Sequence, residues 1–261
     1  MRRITSNATH LVATLAVTAA AVLTAFSMPL PAHAVTITLF NGDGTTVAGS
    51  GKEVSVARQI GAFSVLRLDS SVDVHAHQGT APSVTVHADD NIEPLVETVV
   101  EGDKLVVRMK KGTSFRTHHE VFVDVVFTSL TAAQQHGSGD LQIDQLTAPK
   151  FESSIAGSGD LKIDHAQLGQ FALSVAGSGD VMISGSADEA RFGVAGSGDI
   201  NARNFTAKRV SVSISGSGDA HVNATEALEA KVAGSGDITY SGHPHDVSRR
   251  VSGSGSIEAA N

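Results

Sequence analysis

A four-residue motif, Gly-Ser-Gly-Asp, recurs along the second half of the chain and constrains its fold more than any other feature. The motif begins at Gly137, Gly157, Gly177, Gly196, Gly216 and Gly234, and a variant that ends in serine begins at Gly253. Successive copies lie 20, 20, 19, 20, 18 and 19 residues apart. A regular period of this length indicates an architecture of stacked repeats.

Apolar residues keep fixed positions around the motif and predict strands. Counted from its first glycine, the positions two residues before and four and six residues after are apolar, as at Ile155, Leu161 and Ile163. At the position two residues before the motif, only the first copy departs from this rule, because it has Gln135 there. Even spacing places side chains on one side of an extended chain, and the many β-branched residues favour strand over helix.

The same parity directs both glycines of each motif inward and its serine and aspartate outward. Two successive inward glycines indicate a tight corner, or a wall that another stretch of backbone approaches closely. The glycines to which we assign this structural role are Gly137, Gly139, Gly157, Gly159, Gly177, Gly179, Gly196, Gly198, Gly216, Gly218, Gly234, Gly236, Gly253 and Gly255.

One repeat cannot bury its apolar side alone, but stacked repeats merge these sides into a single core. We therefore predict an all-β fold, a right-handed parallel β-helix with about 19–20 residues per repeat, in which strands pair one turn apart at about 4.8 Å. Six intervals give a rod about 29 Å long. A propeller needs about 40 residues per blade, and an antiparallel sandwich has no need of so regular a period.

The N-terminus has the anatomy of a secretory signal peptide. Arg2 and Arg3 form a basic start, an apolar run follows over 11–26, and Ala32-His33-Ala34 is a small-x-small cleavage signal. We predict a signal peptide over residues 1–34 and an exported protein of the periplasm, the cell surface or the extracellular space. An uncleaved membrane anchor is the alternative.

We expect the remaining residues, 35–261, to form a single domain. Strand patterns without the motif fill 35–135, as in "SVTVHADD" and "EVFVDVVF", and predict irregular opening strands. The regular motif repeats fill 136–261. No other stretch approaches membrane-spanning length, so we expect no membrane span after signal cleavage.

Charge and cysteine content exclude several classes of partner and linkage. The chain has 19 basic and 27 acidic residues, and without Arg2 and Arg3 the balance is 17 against 27, a net charge of −10. This acidity argues against nucleic acid or an anionic membrane surface as the partner. The chain has no cysteine, so it has neither a disulfide nor a lipid-modified cysteine.

The opening half has several recognisable features ahead of the Gly-Ser-Gly-Asp copies: Arg58 and Phe63, "VDVHAHQG" at 72–79, "ADDNI" at 88–92, and the Leu105–Val107 strand. With this combination the sequence resembles the head GIN domain family of "putative autotransporter adhesins". The resemblance implies an exported, right-handed β-helical protein. No outer-membrane barrel follows the last motif in this sequence, so we expect surface display to need another machine.

The aspartates of the motif predict an outward column of carboxylates. Neighbours about 4.8 Å apart repel by about 0.9 kcal/mol even at the dielectric constant of water. In the structural interpretation, hydrogen bonds from turn amides or the adjacent serine outweigh this repulsion. In the alternative interpretation, the column binds cations, calcium being the oxygen-preferring candidate. The residues concerned are Asp140, Asp160, Asp180, Asp199, Asp219 and Asp237.

A second candidate metal site consists of histidines on neighbouring predicted strands. His75 and His77 share one strand face, and His87 lies on the outward face of the next strand. Three imidazoles could hold a transition metal, whereas the simpler interpretation is that they are solvated side chains.

The sequence lacks the usual signatures of catalysis. It has no cysteine, no G-x-S-x-G or H-E-x-x-H motif, and no phosphate-cradling loop that leads into a helix. It also lacks tryptophan, the usual platform on which sugars stack. We therefore expect a non-enzyme without a cofactor.

These observations together predict an exported, non-catalytic, adhesin-like β-helix protein of the cell envelope. Its partner would be an envelope or extracellular ligand, either a glycan or a protein, bound by a flat wall of serine and aspartate. The first alternative is a structural scaffold in which copies assemble end to end through open strands, which makes the protein a homo-oligomer. The second alternative is a polysaccharide-active β-helix enzyme.

Overall fold

The computed structural model describes residues 37–39 and 45–260, which lie in one compact unit, Val35–Asn261. The predicted signal peptide lies outside the described residues. Strands dominate the described part of the chain, and its one helical segment is a 3-10 turn at Glu93–Leu95. The described part contains no helix long and apolar enough to cross a membrane.

Nineteen strands make up two sheets of the described residues. The opening strands are β1 (Ile37–Leu39), β2 (Thr45–Ala48), β3 (Glu53–Arg58), β4 (Val65–Asp69), β5 (Asp73–Gln78), β6 (Ser83–Asp89), β7 (Val96–Glu101), β8 (Lys104–Met109), β9 (Thr113–Arg116), β10 (Phe122–Phe127) and β11 (Ala132–Gly137). The repeat strands are β12 (Leu141–Gly157), β13 (Leu161–Gly177), β14 (Val181–Gly196), β15 (Ile200–Gly216), β16 (Ala220–Gly234), β17 (Ile238–Ser241), β18 (Asp246–Gly253) and β19 (Ile257–Ala259).

Each long repeat strand is one complete coil that bends twice. The two-residue alternation of inward side chains in β12 is interrupted by a three-residue step at each of two corners, because the inward residues are Leu141, Ile143, Leu146, Ala148, Phe151, Ser153 and Ile155. The corners divide each coil into three short faces. We call them face A, which follows the motif (141–143 in β12), face B (146–148 in β12), and face C, which leads to the next motif (151–157 in β12).

The motif forms the third corner, between face C and face A, and its copies superimpose from coil to coil. The first glycine of each copy pairs in register with the first glycine of the next, as Gly157 does with Gly137 and Gly177. Gly157 has a φ of 149°, and a Cβ added there would overlap the carbonyl oxygen of Gly137. The second glycine, Gly159, would overlap Gly139 in the same way. The predicted β-solenoid is confirmed, and its glycines are required because backbones of successive coils meet at this corner.

The unequal spacing of the motifs is absorbed at the other corners. Between β13 and β14 the register shifts where Ile163 and Ala166 meet Ile183 and Gly185, so the coil loses one residue there. Gly185 has a φ of 130°, a backbone conformation that glycine adopts readily. Faces A and C keep their register, which leaves the columns of like residues intact.

The opening strands depart from simple parallel stacking. β4 lies between β11 and β8, and β5 lies between β12 and β10, so the coil made of β8 and β10 is beneath the earlier coil made of β4 and β5. Beyond these, β7 pairs with β8, β6 with β10, and β3 with β6, all antiparallel. This end of the solenoid is therefore finished by antiparallel strands.

Side chains fill the interior of the solenoid. The aromatic rings of Phe151 and Phe171, from neighbouring coils, lie parallel with centroids 6.1 Å apart, and Phe192 and Phe205 meet Phe171 edge-on at 5.7 Å. Gln135 is the polar residue at the otherwise apolar position two residues before the motif. It is buried, and its side chain donates a hydrogen bond to the carbonyl oxygen of Asp160 at 2.9 Å. The fold therefore leaves its outer faces and its ends as the surfaces available for binding.

Candidate functional site: the aspartate column and its grooves

The aspartates of the motif form a continuous hydrogen-bonded column along one corner of the solenoid. The backbone N–H of Asp160 donates to Oδ1 of Asp140 at 2.8 Å, and Asp180 repeats this bond to Asp160 at 2.8 Å. Every later aspartate does the same, up to Asp237, which accepts from the Ser256 N–H at 2.7 Å. A carboxylate that accepts a backbone N–H forms a charge-assisted hydrogen bond, and one such bond in each coil compensates for the repulsion between neighbours.

The column begins one coil earlier than the sequence indicates. Asp73 accepts a hydrogen bond from the Asp140 N–H at 2.8 Å, so Ser70-Ser71-Val72-Asp73 stands where the next coil has its first Gly-Ser-Gly-Asp. Serine and valine replace the two glycines because the chain beneath this corner leaves the coil between Met109 and Val121 to form β9. No stacked corner then lies under Ser70 and Val72 in the described structure.

The series of hydrogen bonds from each backbone N–H to the aspartate of the preceding coil, which we call the ladder, also explains the altered last motif. Ser256 occupies the aspartate position of that copy and donates its N–H to Asp237. In the described residues, no further coil follows that would need an acceptor at this place. Within the described part of the chain, a carboxylate at position 256 would therefore meet no N–H of a further coil.

Two shallow grooves flank the column on face A. The first, of about 310 Å³, lies beside Asp140 and Asp160 and is also lined by His75, Gln142 and Lys162. The second, also of about 310 Å³, lies beside the later aspartates. Its lining residues include Asp180, Met182, Asp199, Asn201, Arg203, Asp219 and His221. Each groove therefore combines a row of carboxylates with donors and acceptors from the adjacent strand face.

The outward row of face A is in register across the coils. It runs through His75, Gln142, Lys162, Met182, Asn201 and His221, one residue per coil. The aspartate column lies two residues earlier in each coil, so the two columns run side by side along the solenoid. One carboxylate oxygen of each motif aspartate is used in the ladder, and the second oxygen lies outside it.

Two ionisable groups in this region have shifted pKa values. Partial burial, together with the charges of Asp140 and Glu120, raises the pKa of Asp73, although the hydrogen bond from the Asp140 N–H opposes the shift. Burial and the nearby Arg203 guanidinium lower the pKa of His221, whose Nε2 lies 2.7 Å from an Arg203 nitrogen. At neutral pH the His221 ring is therefore uncharged and accepts a hydrogen bond from Arg203.

The three candidate histidines do not converge on one point. His75 and His87 lie on either side of Phe122, with ring centroids 4.9 and 4.4 Å from it, whereas His77 is opposite Val126 in the next register position. Both ring nitrogens of His87 meet protein groups. Ser55 Oγ lies 2.9 Å from Nδ1, and an Asp124 carboxylate oxygen lies 2.9 Å from Nε2 but out of hydrogen-bond alignment.

Neither candidate set has the geometry of a metal site. Among the described residues, no three side chains of His, Cys, Asp or Glu are grouped as they would be around a metal ion. The motif aspartates succeed one another in a line instead of surrounding a common centre. Their arrangement suits a ligand that extends along the column and offers hydrogen-bond donors or positive charge at several coils.

The sequence and the fold together decide the family. The profile of the family described as "Putative auto-transporter adhesin, head GIN domain" matches residues 62–244. The chain belongs to this family. The matched range includes the opening strands from β4 onward and the motif copies up to Gly234, whereas Arg58, on which the resemblance also rested, lies before it.

Solved structures with the same fold include three from Bacteroides and Parabacteroides species. A putative adhesin from Bacteroides fragilis has a TM-score of 0.79 and 26% identity, over 82% of this chain and 99% of that one. A putative lipid binding protein from Parabacteroides distasonis has a TM-score of 0.69 and 28% identity, over 83% and 100%. A putative adhesin from Parabacteroides merdae, with a TM-score of 0.66 and 21% identity over 83% and 99%, shares the fold. No curated protein matches the chain.

Proposed function

We propose that this head GIN domain protein is exported to the cell envelope and binds there, without catalysis, to a hydroxyl-rich polymer such as a glycan. The single observation that carries the proposal is the paired arrangement of the aspartate column and the polar row of face A. Both columns repeat once per coil, so a chain-like ligand would meet the same groups several times.

The chemistry of the grooves favours hydroxyl groups as the recognised feature. The carboxylate oxygens outside the ladder are acceptors, which a sugar hydroxyl satisfies by donating. Lys162 and Arg203 offer donors, to which the same hydroxyl groups can be acceptors. Met182, with 49% of its surface exposed, offers an apolar contact in the middle of the row.

A glycan is preferred over a lipid because the interior of the solenoid is occupied. One solved structure of the same fold is described as a "Putative lipid binding protein". In this chain, large side chains such as Phe151, Phe171 and Phe205 are almost completely buried and fill the space between the faces. An acyl chain would have to lie on the outer surface, where the aspartate column is negatively charged.

Catalysis is not part of the proposal. The grooves along face A are open and shallow, and water reaches the aspartates of the Gly-Ser-Gly-Asp motifs, which are all exposed. Export is supported by the N-terminal signal pattern and by the adhesin description of the family.

The experiment measures binding of the purified protein to a glycan array and, in parallel, to vesicles of phosphatidylcholine and phosphatidylglycerol. The decisive variant changes Asp180, Asp199 and Asp219 together to asparagine, which retains an acceptor oxygen for the ladder but removes three charges. We expect the wild-type protein to bind one class of glycan and the variant to bind it at least tenfold more weakly.

The matched control removes the same number of charges elsewhere, in the variant E152Q/D188N/E229Q. These three carboxylates lie outside the aspartate column, so we expect binding to be retained. Equal loss in both variants would mean that only net charge matters. Binding to vesicles alone, or release of soluble sugar from the array, would contradict the proposal in favour of a lipid-binding protein or an enzyme.

A further inference from the structure

The end of the solenoid formed by β18 and β19 is uncovered in the described structure. β18 pairs only with β16, and β19 pairs only with β17, so the outer edge of each strand has no partner there. Val247 and Val251 stand in register with the buried Leu228 and Val232, in the inward rows of the solenoid. They are nevertheless 37% and 47% exposed, because no coil among the described residues covers them.

The opposite end of the solenoid is closed by its own chain. Antiparallel strands finish its sheets, Ile92 is completely buried there, and Phe115 of β9 packs against the core. Repeat proteins need such terminal caps, and an open strand edge with apolar neighbours readily pairs with another strand. An end-to-end polymer would have to join the uncovered end to a closed one.

The charges along β18 are complementary to the same strand running in the opposite direction. Asp246 begins the strand, Ser248 is near its middle, and Arg250 follows, all in the outward row. An antiparallel pair centred on Ser248 places Asp246 opposite Arg250 of the second copy, and the two-fold axis repeats this pair. In the inward row, Val247 meets Arg249 of the second copy, whose aliphatic stem covers apolar surface.

We propose that two copies of this chain associate through residues 246–250 of β18 in an antiparallel, two-fold symmetric dimer that covers the outer edge of this strand in both solenoids. The partner is a second copy and not another protein because the strand supplies its own charge complement. The dimer is closed, since each copy uses the one end that is uncovered in the described structure. It presents two face A surfaces to a polymeric ligand and does not depend on what that ligand is.

The first test is a disulfide trap, which the absence of cysteine in this chain makes specific. Residues directly opposite in an antiparallel pair have Cα atoms about 4.5–5.5 Å apart, within the range that a disulfide spans. In the S248C variant each new cysteine faces its copy across the axis, so we expect a covalent dimer after mild oxidation. The control S213C changes an exposed serine on the outward side of the inner strand β15, in register with Lys231 and Arg250, and we expect it to remain monomeric on a non-reducing gel.

The second test measures self-association by sedimentation equilibrium from 1 to 100 μM. We expect dimers for the wild type, at least tenfold weaker association for D246R and for R250D, and recovery in the D246R/R250D double variant, where the charges are exchanged. The control K162D, on face A, should associate as the wild type does. A wild-type protein that stays monomeric at 100 μM, a series of larger oligomers, or a double variant as weak as the single ones would overturn the proposal.

Discussion

Oδ1 of Asp140 accepts the backbone N–H of Asp160 at 2.8 Å, and this one bond, repeated coil after coil, links all motif corners of the solenoid. The carboxylate spans the gap between coils at the corner where the glycines bring the backbones together. The two parts of the motif therefore act jointly. The glycines permit close stacking, and the aspartate satisfies an N–H that the corner leaves outside the strand pairing.

The ladder predicts different outcomes for two substitutions of Asp180. In D180A the Asp199 N–H loses its acceptor, and we expect the free energy of unfolding to fall by about 1 kcal/mol, because water replaces the bond at this exposed corner. In D180N the amide oxygen still accepts, and repulsion from Asp160 and Asp199 is removed. We expect D180N to be at least as stable as the wild type in urea unfolding at low salt. A D180N protein as unstable as D180A would show that the charge itself is required.

The glycine column predicts severe destabilisation from a single methyl group. In G177A the new Cβ would overlap the carbonyl oxygen of Gly157, and the φ of 142° at this position is unfavourable for alanine. We expect a loss of about 2–4 kcal/mol in the free energy of unfolding. The control G61A adds a methyl group where no atom lies within 4 Å, and it should unfold within about 0.5 kcal/mol of the wild type.

Equal instability of G61A and G177A in urea unfolding would contradict this account of the motif. So would a stable G177A protein with an unchanged circular dichroism spectrum. Either result would mean that the coils separate at the corner more easily than the paired glycines indicate.

The regular half of the fold could be predicted from the sequence because each coil repeats the same physical requirements. The positions of Ile155, Leu161 and Ile163 relative to the motif define an inward row, and the structure buries all three. The exposed aspartates and the buried second glycines also follow from this parity. Gln135, which departs from the apolar row, stays inward because it donates to the Asp160 carbonyl.

The first member of the aspartate column was missed because its glycines are absent. Leu68, Val74 and Ala76 stand at the same distances from Ser70 as the apolar residues do from the first glycine of a motif. This spacing was the available signal. However, Ser70 lies 67 residues before Gly137, the first glycine of the coil that stacks on it, and this interval does not fit the period of about 20 residues. The intervening antiparallel strands could not be predicted, since alternation defines a strand and not its partner or direction.

Calcium is predicted to leave the stability of the protein unchanged. Each motif aspartate already uses one oxygen in the ladder, and the described carboxylates do not surround a common centre. A bound ion would stabilise the folded protein by mass action. We therefore expect thermal melts in EDTA, in millimolar calcium and in millimolar magnesium to superimpose. A higher melting temperature in calcium alone would favour the cation-binding interpretation of the column.

A buried aspartate joins two loops to the antiparallel end of the solenoid. Asp89 of β6 accepts hydrogen bonds from His119 Nδ1 at 2.7 Å, from Thr117 Oγ1 at 2.8 Å and from the Gly51 N–H at 3.3 Å. Burial acts to raise the pKa of Asp89, but these hydrogen bonds together hold it below its usual value. The bond to Asp89 in turn raises the pKa of His119.

These two shifts predict a stability maximum in mildly acidic solution. The contribution of His119 is fully present below its unfolded pKa of about 6.5 and is lost as pH rises through its higher folded pKa. The contribution of Asp89 is present above its unfolded pKa of about 3.9 and is lost as pH falls through its lower folded pKa. We expect urea unfolding from pH 3 to 9 to show that the Asp89–His119 pair contributes most to the free energy of unfolding between about pH 4 and 6.5. In H119Q, we expect the decline of this free energy on the alkaline side to be lost. The control is H165Q. The Nδ1 of His165 lies 3.1 Å from the backbone carbonyl oxygen of Asp144, which is uncharged, so this variant should keep the wild-type profile. An alkaline decline that persists in H119Q would assign the pH dependence to another group.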